Sequence, residues 1–168
     1  MPTPLLLALS LASAACLLGC AAAPERAGAR GPADPDREAA RVLDALNGET
    51  RAARARDYAG WREHWVHAPY VVKTYTNEVD GTSSVMLGWD AVDDFVRTYL
   101  EDHPEPDPAP DPLTDADVRL FGDAAWVVYE QVDPAEGAKR EARRLERVDG
   151  AWRIAGMHTT VLDAAGSE

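Results

Sequence analysis

Residues 149–161, DGAWRIAGMHTTV, decide how this chain folds. Asp149-Gly150 is a two-residue turn signal set between runs of alternating side chains, so the segments on either side pair as antiparallel neighbours. Within the final run a period of two sends Trp152, Ile154, Gly156, His158 and Thr160 to one face. Arg153, Ala155, Met157 and Thr159 go to the other. Working backwards, residues 139–148, 124–133 and 115–121 also read as strands, joined by PAEGA at 134–138 and by Gly122-Asp123. Connections this short force a meander of antiparallel strands.

The first half of the chain is helical in pattern. Residues 35–56 predict a helix with Asp34 as cap, Pro35 in the first turn, and Val42, Leu43 and Leu46 at helical spacing. Asn47-Gly48 predicts a bend or break in its middle. After Asp57, a shorter helix places Tyr58, Trp61 and Trp65 on one face, and Pro69 stops it. Residues 70–77 are a β-branched, aromatic strand, Asp80-Gly81 is a turn, and 84–87 form a short partner strand. Residues 88–103, GWDAVDDFVRTYLEDH, carry the clearest helical stripe: Val92, Phe95, Val96, Tyr99 and Leu100, with Asp90 as the expected cap. Pro104 ends it, and EPDPAPDP at 105–112 is a stiff extended connector. Three helices followed by a long meander predict an α+β fold with the helices on one side of the sheet.

The first twenty residues, MPTPLLLALSLASAACLLGC, contain no charged side chain. They read as the apolar core of a secretory signal. Leu17-Leu18-Gly19-Cys20 resembles a bacterial lipobox, which implies cleavage before Cys20 and acylation at that residue. The run lacks the Lys or Arg with which such signals usually begin. Plain secretion and an uncleaved anchor rank second and third. Cys16 would leave with the signal and Cys20 would carry lipid, so neither of the chain's 2 cysteines remains for a disulfide or a thiolate site. Residues 21–34 read as a flexible tether reaching about 20 Å. The predicted organisation is a signal over 1–19, lipidated Cys and linker over 20–34, one domain over 35–162 and a polar tail over 163–168. The domain is expected in the bacterial cell envelope outside the cytoplasm, at the outer membrane in a Gram-negative host. A net charge of −12 with no basic aromatic strip argues against a nucleic-acid partner.

Candidate chemistry is sparse. His64 and His67 form an H-x-x-H that His158 could join to hold zinc, but the spacing across a helix end is a weak signal and no metal is predicted. His158, on the face of Trp152 and Ile154, is the candidate catalytic residue: a neutral imidazole in a partly dry cavity serves as base or donor. The competing reading has its ring closing the sheet through a hydrogen bond. Trp61 and Trp65 read as glue between helix and sheet, with His64 and His67 lining or rimming the cavity. Tyr70, Tyr75 and Tyr99 are possible hydroxyl donors. Alternation along 139–148 sends Lys139, Glu141, Arg143, Leu145 and Arg147 one way. An inward Arg would select an anion such as a carboxylate, whereas the commoner outcome is a solvated face or salt bridges to Glu130. No phosphate loop, dinucleotide fingerprint or nucleophile elbow occurs, and no cofactor is predicted.

The helix, aromatic hinge and strand, the G-W-D-A-V-x-x-F of 88–95 and the D-G-A-W-R-I-A-G-M-H-T-T of 149–160 together resemble the nuclear-transport-factor-2-like (NTF2-like) superfamily. Its SnoaL-like and kinase-association-domain-like members are the nearest in pattern, over residues 38–160. The resemblance implies a strongly curved sheet wrapped around a long helix, a cone with an internal pocket, and dimerisation through the outer face of the sheet. The superfamily holds both enzymes and proteins that only bind, so fold leaves function open. No Asp here matches the base of the isomerase-like members. The first expectation is a membrane-anchored pocket domain binding a small, partly apolar molecule or a partner without turnover, with His64, His67, Tyr70, Tyr99 and His158 as ligand contacts. The second is a cofactor-free isomerase, lyase or cyclase using His158, and the third a structural dimerisation module.

Overall fold

The computed structural model describes residues 34–163, which fall within one compact unit. The signal, Cys20 and almost all of the linker lie outside the described residues, as does most of the tail. The chain runs α1 (Pro35–Arg54), α2 (Tyr58–Glu63), β1 (Val72–Asn77), β2 (Thr82–Leu87), α3 (Trp89–Asp102), β3 (Asp117–Phe121), β4 (Ala124–Asp133), β5 (Gly137–Val148) and β6 (Ala151–Val161).

Asp34 caps α1 as expected, its Oδ1 accepting from the Asp36 N–H at 3.2 Å, and Pro35 occupies the first turn. The helix does not break at Asn47-Gly48. Both residues are spent on long-range contacts instead. A Cβ on Gly48 would lie 2.4 Å from His64 Cε1, so glycine is what lets the imidazole approach the helix backbone. The Asn47 amide donates to Leu113 O at 2.9 Å and accepts from Leu113 N–H at 2.8 Å, tying the proline-rich connector to the helix. α3 also departs from expectation at its start. Gly88, not Asp90, is the N-cap; its φ of 84° swings the chain straight from β2 into the helix and leaves Asp90 in the first turn.

The curved sheet has the order β2-β1-β6-β5-β4-β3. Every pairing is antiparallel except β1 against β6, where the first hairpin joins the meander in parallel. Between β5 and β6 the register slips: Arg144 faces Gly156 but Leu145 faces Ile154, so Ala155 is an extra residue. This bulge reverses the phase of the last strand. Trp152 and Ile154 point inward before it, and Thr159 and Val161 point inward after it. His158 is therefore not on the face of Ile154. It stands exposed on the outer surface, opposite Ala142 and Thr74.

The inner face closes over α1 and α3. Val42, Leu46, Trp61, Trp65, Leu145 and Ile154 are all at most 1 % exposed. Trp61 packs against Trp65 at 5.6 Å and against Trp89 of α3 at 5.8 Å between ring centres, and Trp65 bridges to Ile154 of β6, so the aromatic hinge does join helix to sheet.

Candidate functional site

A cavity of about 320 Å³ lies between the C-terminal half of α1, the apolar face of α3 and the inner face of the sheet. Strand register builds its floor in rows. Lys73 of β1, Met157 of β6 and Arg143 of β5 stand side by side; the next row is Tyr75, Thr159 and Glu141. α3 supplies Phe95, Val96 and Leu100 as an apolar wall, α1 supplies Glu49 and Ala53, and Pro110 of the connector borders the space.

The floor is polar, with Glu141, Arg143 and Thr159 buried and Lys73, Tyr75 and Met157 half-buried. Glu141 accepts from the Tyr129 hydroxyl at 2.8 Å and from Arg143 Nε at 2.7 Å. Burial opposes its ionisation, yet the Arg143 guanidinium and the Tyr129 hydroxyl hold its carboxyl below the usual range. Burial opposes charge on Arg143 too, but Glu141 and Glu49 keep its protonation even more favourable than usual. Glu49 accepts from the indoles of Trp61 at 2.8 Å and Trp65 at 3.3 Å and lies 3.6 Å from Arg143 Nη1. Near the β4–β5 turn, Lys139 donates to Asp133 and Glu136, each at 2.8 Å, and Arg54 pairs with the same two carboxylates. The Tyr75 hydroxyl donates to Glu136 at 3.0 Å; burial first, then that carboxylate, pushes its pKa up.

Three groups on this floor have unused bonding capacity. Arg143 Nη1 and Thr159 Oγ1 are buried and make no hydrogen bond. The half-buried Lys73 places Nζ 2.9 Å from Met157 Sδ, a weak acceptor, and has no carboxylate in ion-pair range among the described residues. Burial, with Arg143 and Lys139 nearby, lowers its pKa to about 8, although Glu49 and Glu141 oppose the shift. Such a floor can hold an acceptor or an anion, or let an amine exchange a proton near neutrality.

Of the residues expected to contact a ligand, the structure brings Tyr99 to the cavity, with Tyr75 beside it. The others lie elsewhere. His64 rests on Gly48 beside an open surface depression that Arg41 and Arg153 also border, and burial lowers its pKa. His67 is exposed, stacks on Trp89 at 4.0 Å and sits 3.0 Å from Arg62 O through Nε2. Tyr70 is exposed, donates to Glu146 at 2.7 Å and lies under the Arg144 guanidinium. Pro69 turns the chain between His67 and Tyr70, and the bulge turns His158 away, so these side chains do not converge. Among the described residues no three His, Cys, Asp or Glu side chains are arranged to hold a metal ion.

Lys73, Thr159, Glu49 and Glu141 carry the site instead. Three of these were readable. Alternation along 139–148 turns Glu141 to the face of Leu145, counting by twos from Val71 passes through Lys73 and Tyr75, and the stripe of Val42 and Leu46 continues to Glu49. Thr159 was hidden behind the bulge.

A family model described as a SnoaL-like domain matches residues 42–164. No curated protein matches the chain. Among solved structures, a cystatin-like fold protein from Burkholderia xenovorans is 23% identical with a TM-score of 0.55, covering 73% of this chain and 90% of its own. An NTF2-like protein of unknown function from Silicibacter pomeroyi is 15% identical at a TM-score of 0.56, covering 77% and 99%. An NTF2-like superfamily protein from Salmonella enterica is 14% identical at a TM-score of 0.56, covering 80% and 97%. At these identities the likeness is one of fold. The chain belongs to the SnoaL-like family, and its fold is that of the NTF2-like structures.

Proposed function

We propose that this domain is a ligand-binding module whose cavity takes a small, partly apolar molecule, and that it works tethered to the membrane of the cell envelope through a lipid on Cys20. One observation carries the binding reading: a half-open space of about 320 Å³ has an apolar wall on α3 and, facing it, strand side chains with unused polar atoms. Binding sites combine those two features in cavities of roughly this size. The uncharged leader and its Leu-Leu-Gly-Cys ending support the tether. A homodimer through the outer face of the sheet belongs to the same reading. Trp126, Val128 and Val132 are 46%, 39% and 74% exposed there, and a second copy would cover them.

A second reading, turnover by a cofactor-free isomerase or lyase, draws support from Lys73. An amine with a pKa of about 8 inside a cavity is a competent proton acceptor near neutral pH. His158 has no part in it, because its ring faces outward.

Native mass spectrometry of the purified protein tests the binding reading. The expected spectrum is a dimer carrying a discrete small-molecule adduct, which a Leu100→Trp variant, with the cavity filled, no longer carries. An adduct that survives in Leu100→Trp, or a chain that neither co-purifies with nor takes up any small molecule, would overturn it.

A further inference from the structure

We propose that the molecule this cavity takes is a monocarboxylate, its carboxylate seated between Lys73 and Arg143 beside Thr159 and its apolar part lying along α3. The inference rests on the binding reading above and names the chemistry of the ligand.

The charges in the cavity are nearly all accounted for. Arg54 pairs with Asp133, Glu136 and Asp107, and Arg56 with Asp107. Lys139 pairs with Asp133 and Glu136, and Arg143 with Glu141. With Asp107 counted, the carboxylates Glu49, Asp107, Asp133, Glu136 and Glu141 balance the cations Arg54, Arg56, Lys73, Lys139 and Arg143. Of these cations Lys73 is the one with no carboxylate in ion-pair range among the described residues, and its contact is a thioether. A half-buried ammonium without a direct anion is costly to keep unless a ligand completes it.

The geometry sets the shape of the completing group. Lys73 and Arg143 flank Met157 in one row of three adjacent strands, about 10 Å apart at the backbone given ~4.8 Å between neighbouring strands. Both side chains are long enough to meet above Met157. Thr159 follows Met157 on the same face of β6, with its hydroxyl unbonded. An ammonium, a guanidinium Nη1 that stands 3.6 Å from Glu49 but makes no hydrogen bond, and a hydroxyl suit a group with two acceptor oxygens. A cationic ligand would meet Lys73 unscreened. A dianion such as a phosphate would bring a second negative charge beside Glu49 and Glu141, whereas one negative charge matches the one ammonium that has no carboxylate partner. Beyond the carboxylate, Phe95, Val96 and Leu100 offer an apolar wall for a chain or ring.

Titration of the purified chain with hexanoate, hexanamide and hexyl phosphate, followed by calorimetry and by the fluorescence of the cavity-lining Trp61, tests the inference. Hexanoate should bind at least tenfold tighter than hexanamide and tighter than hexyl phosphate. That preference should fade as the pH is raised through about 8, where Lys73 loses its proton. Lys73→Met should abolish the preference, weakening hexanoate far more than hexanamide, and Thr159→Val should reduce it several-fold. Equal binding of hexanoate and hexanamide, or an unchanged preference in Lys73→Met, would overturn the carboxylate assignment and leave the pocket standing. So would tighter binding of hexyl phosphate. Failure of all three probes would bring down the pocket reading together with this one.

Discussion

Glu38 and Glu49 lie about three turns apart on the same buried stripe of α1, and each is set among the same chemical parts. Glu38 accepts from the Trp152 indole at 3.2 Å and pairs with Arg147; Glu49 accepts from the Trp61 indole at 2.8 Å and lies by Arg143. Their surroundings differ. Beside Glu38, Arg147 lies over the Trp152 ring at 4.8 Å, and Arg41 adds a second cation at 2.8 Å. Beside Glu49, Arg143 is shared with Glu141, and the far side is open cavity floored by Lys73 and Thr159. A carboxylate, an indole and an arginine thus make a closed lock where other side chains fill the space. Where they do not, the same parts leave donors over for a ligand. Buried charge alone says little about function; buried charge beside unfilled volume says more.

The largest expected effect breaks the open end. Arg143→Met leaves Glu141 and Glu49 buried with their principal cation gone, and should cost about 3–5 kcal/mol of folding stability in urea titration. Arg147→Met should cost clearly less, because Glu38 keeps Arg41 and the Trp152 indole. Equal losses would erase the distinction between lock and site.

Lys73→Met should act in the opposite direction and stabilise the domain by about 1–3 kcal/mol at pH 7. The folded pKa of about 8 lies below the ordinary 10.5, so the folded chain binds fewer protons than the unfolded one between those values. Wild-type stability should therefore gain a rising contribution from pH 8 to 10.5 that the variant lacks. A site retained at a cost in stability is a mark of function rather than of packing. If Lys73→Met loses stability instead, Lys73 belongs to the lock.

A smaller effect tests Gly48. Alanine would gain about 1 kcal/mol of helix propensity, but its Cβ would collide with the His64 ring. Gly48→Ala should lose about 1–2 kcal/mol net, and adding His64→Ala should recover part of that loss in a double-mutant cycle. Simple additivity would mean that the ring does not press on α1.

The smallest effect is at the closed end. Despite burial, the Trp152 indole and the Arg147 guanidinium hold Glu38 below the ordinary value of 4.5. Its contribution is complete above about pH 4.5 and is lost as the pH falls through its folded value. Glu38→Gln should flatten that part of the acid-unfolding curve, and an unchanged curve would show that the pair adds nothing.

Much of the fold was legible because it rests on local rules. Asp149-Gly150 announces its hairpin, Asp34-Pro35 announces α1, and alternation correctly turns Glu141 and Arg143 toward Leu145. The errors arose where a local signal was overruled at long range. Gly48 is glycine for the sake of His64, sixteen residues away in the chain, and Gly88 displaces Asp90 as cap by its positive φ. At the site, one residue made the difference. The bulge at Ala155 sends His158 to the outer surface and Thr159 into the cavity, and period-two counting cannot register an extra residue. Lys73 and Glu49 sat on apolar faces in plain view, but an isolated charge within an apolar stripe draws less notice than a cluster of histidines.

A crystal structure of the chain soaked with hexanoate tests the central claim most directly. The expected density lies in the cavity, its carboxylate within hydrogen-bond reach of Lys73 Nζ and Arg143 Nη1 and its chain along Phe95 and Leu100. A cavity occupied by the protein's own Phe95 and Tyr99, or a ligand seated against His158 on the outer face, would contradict it.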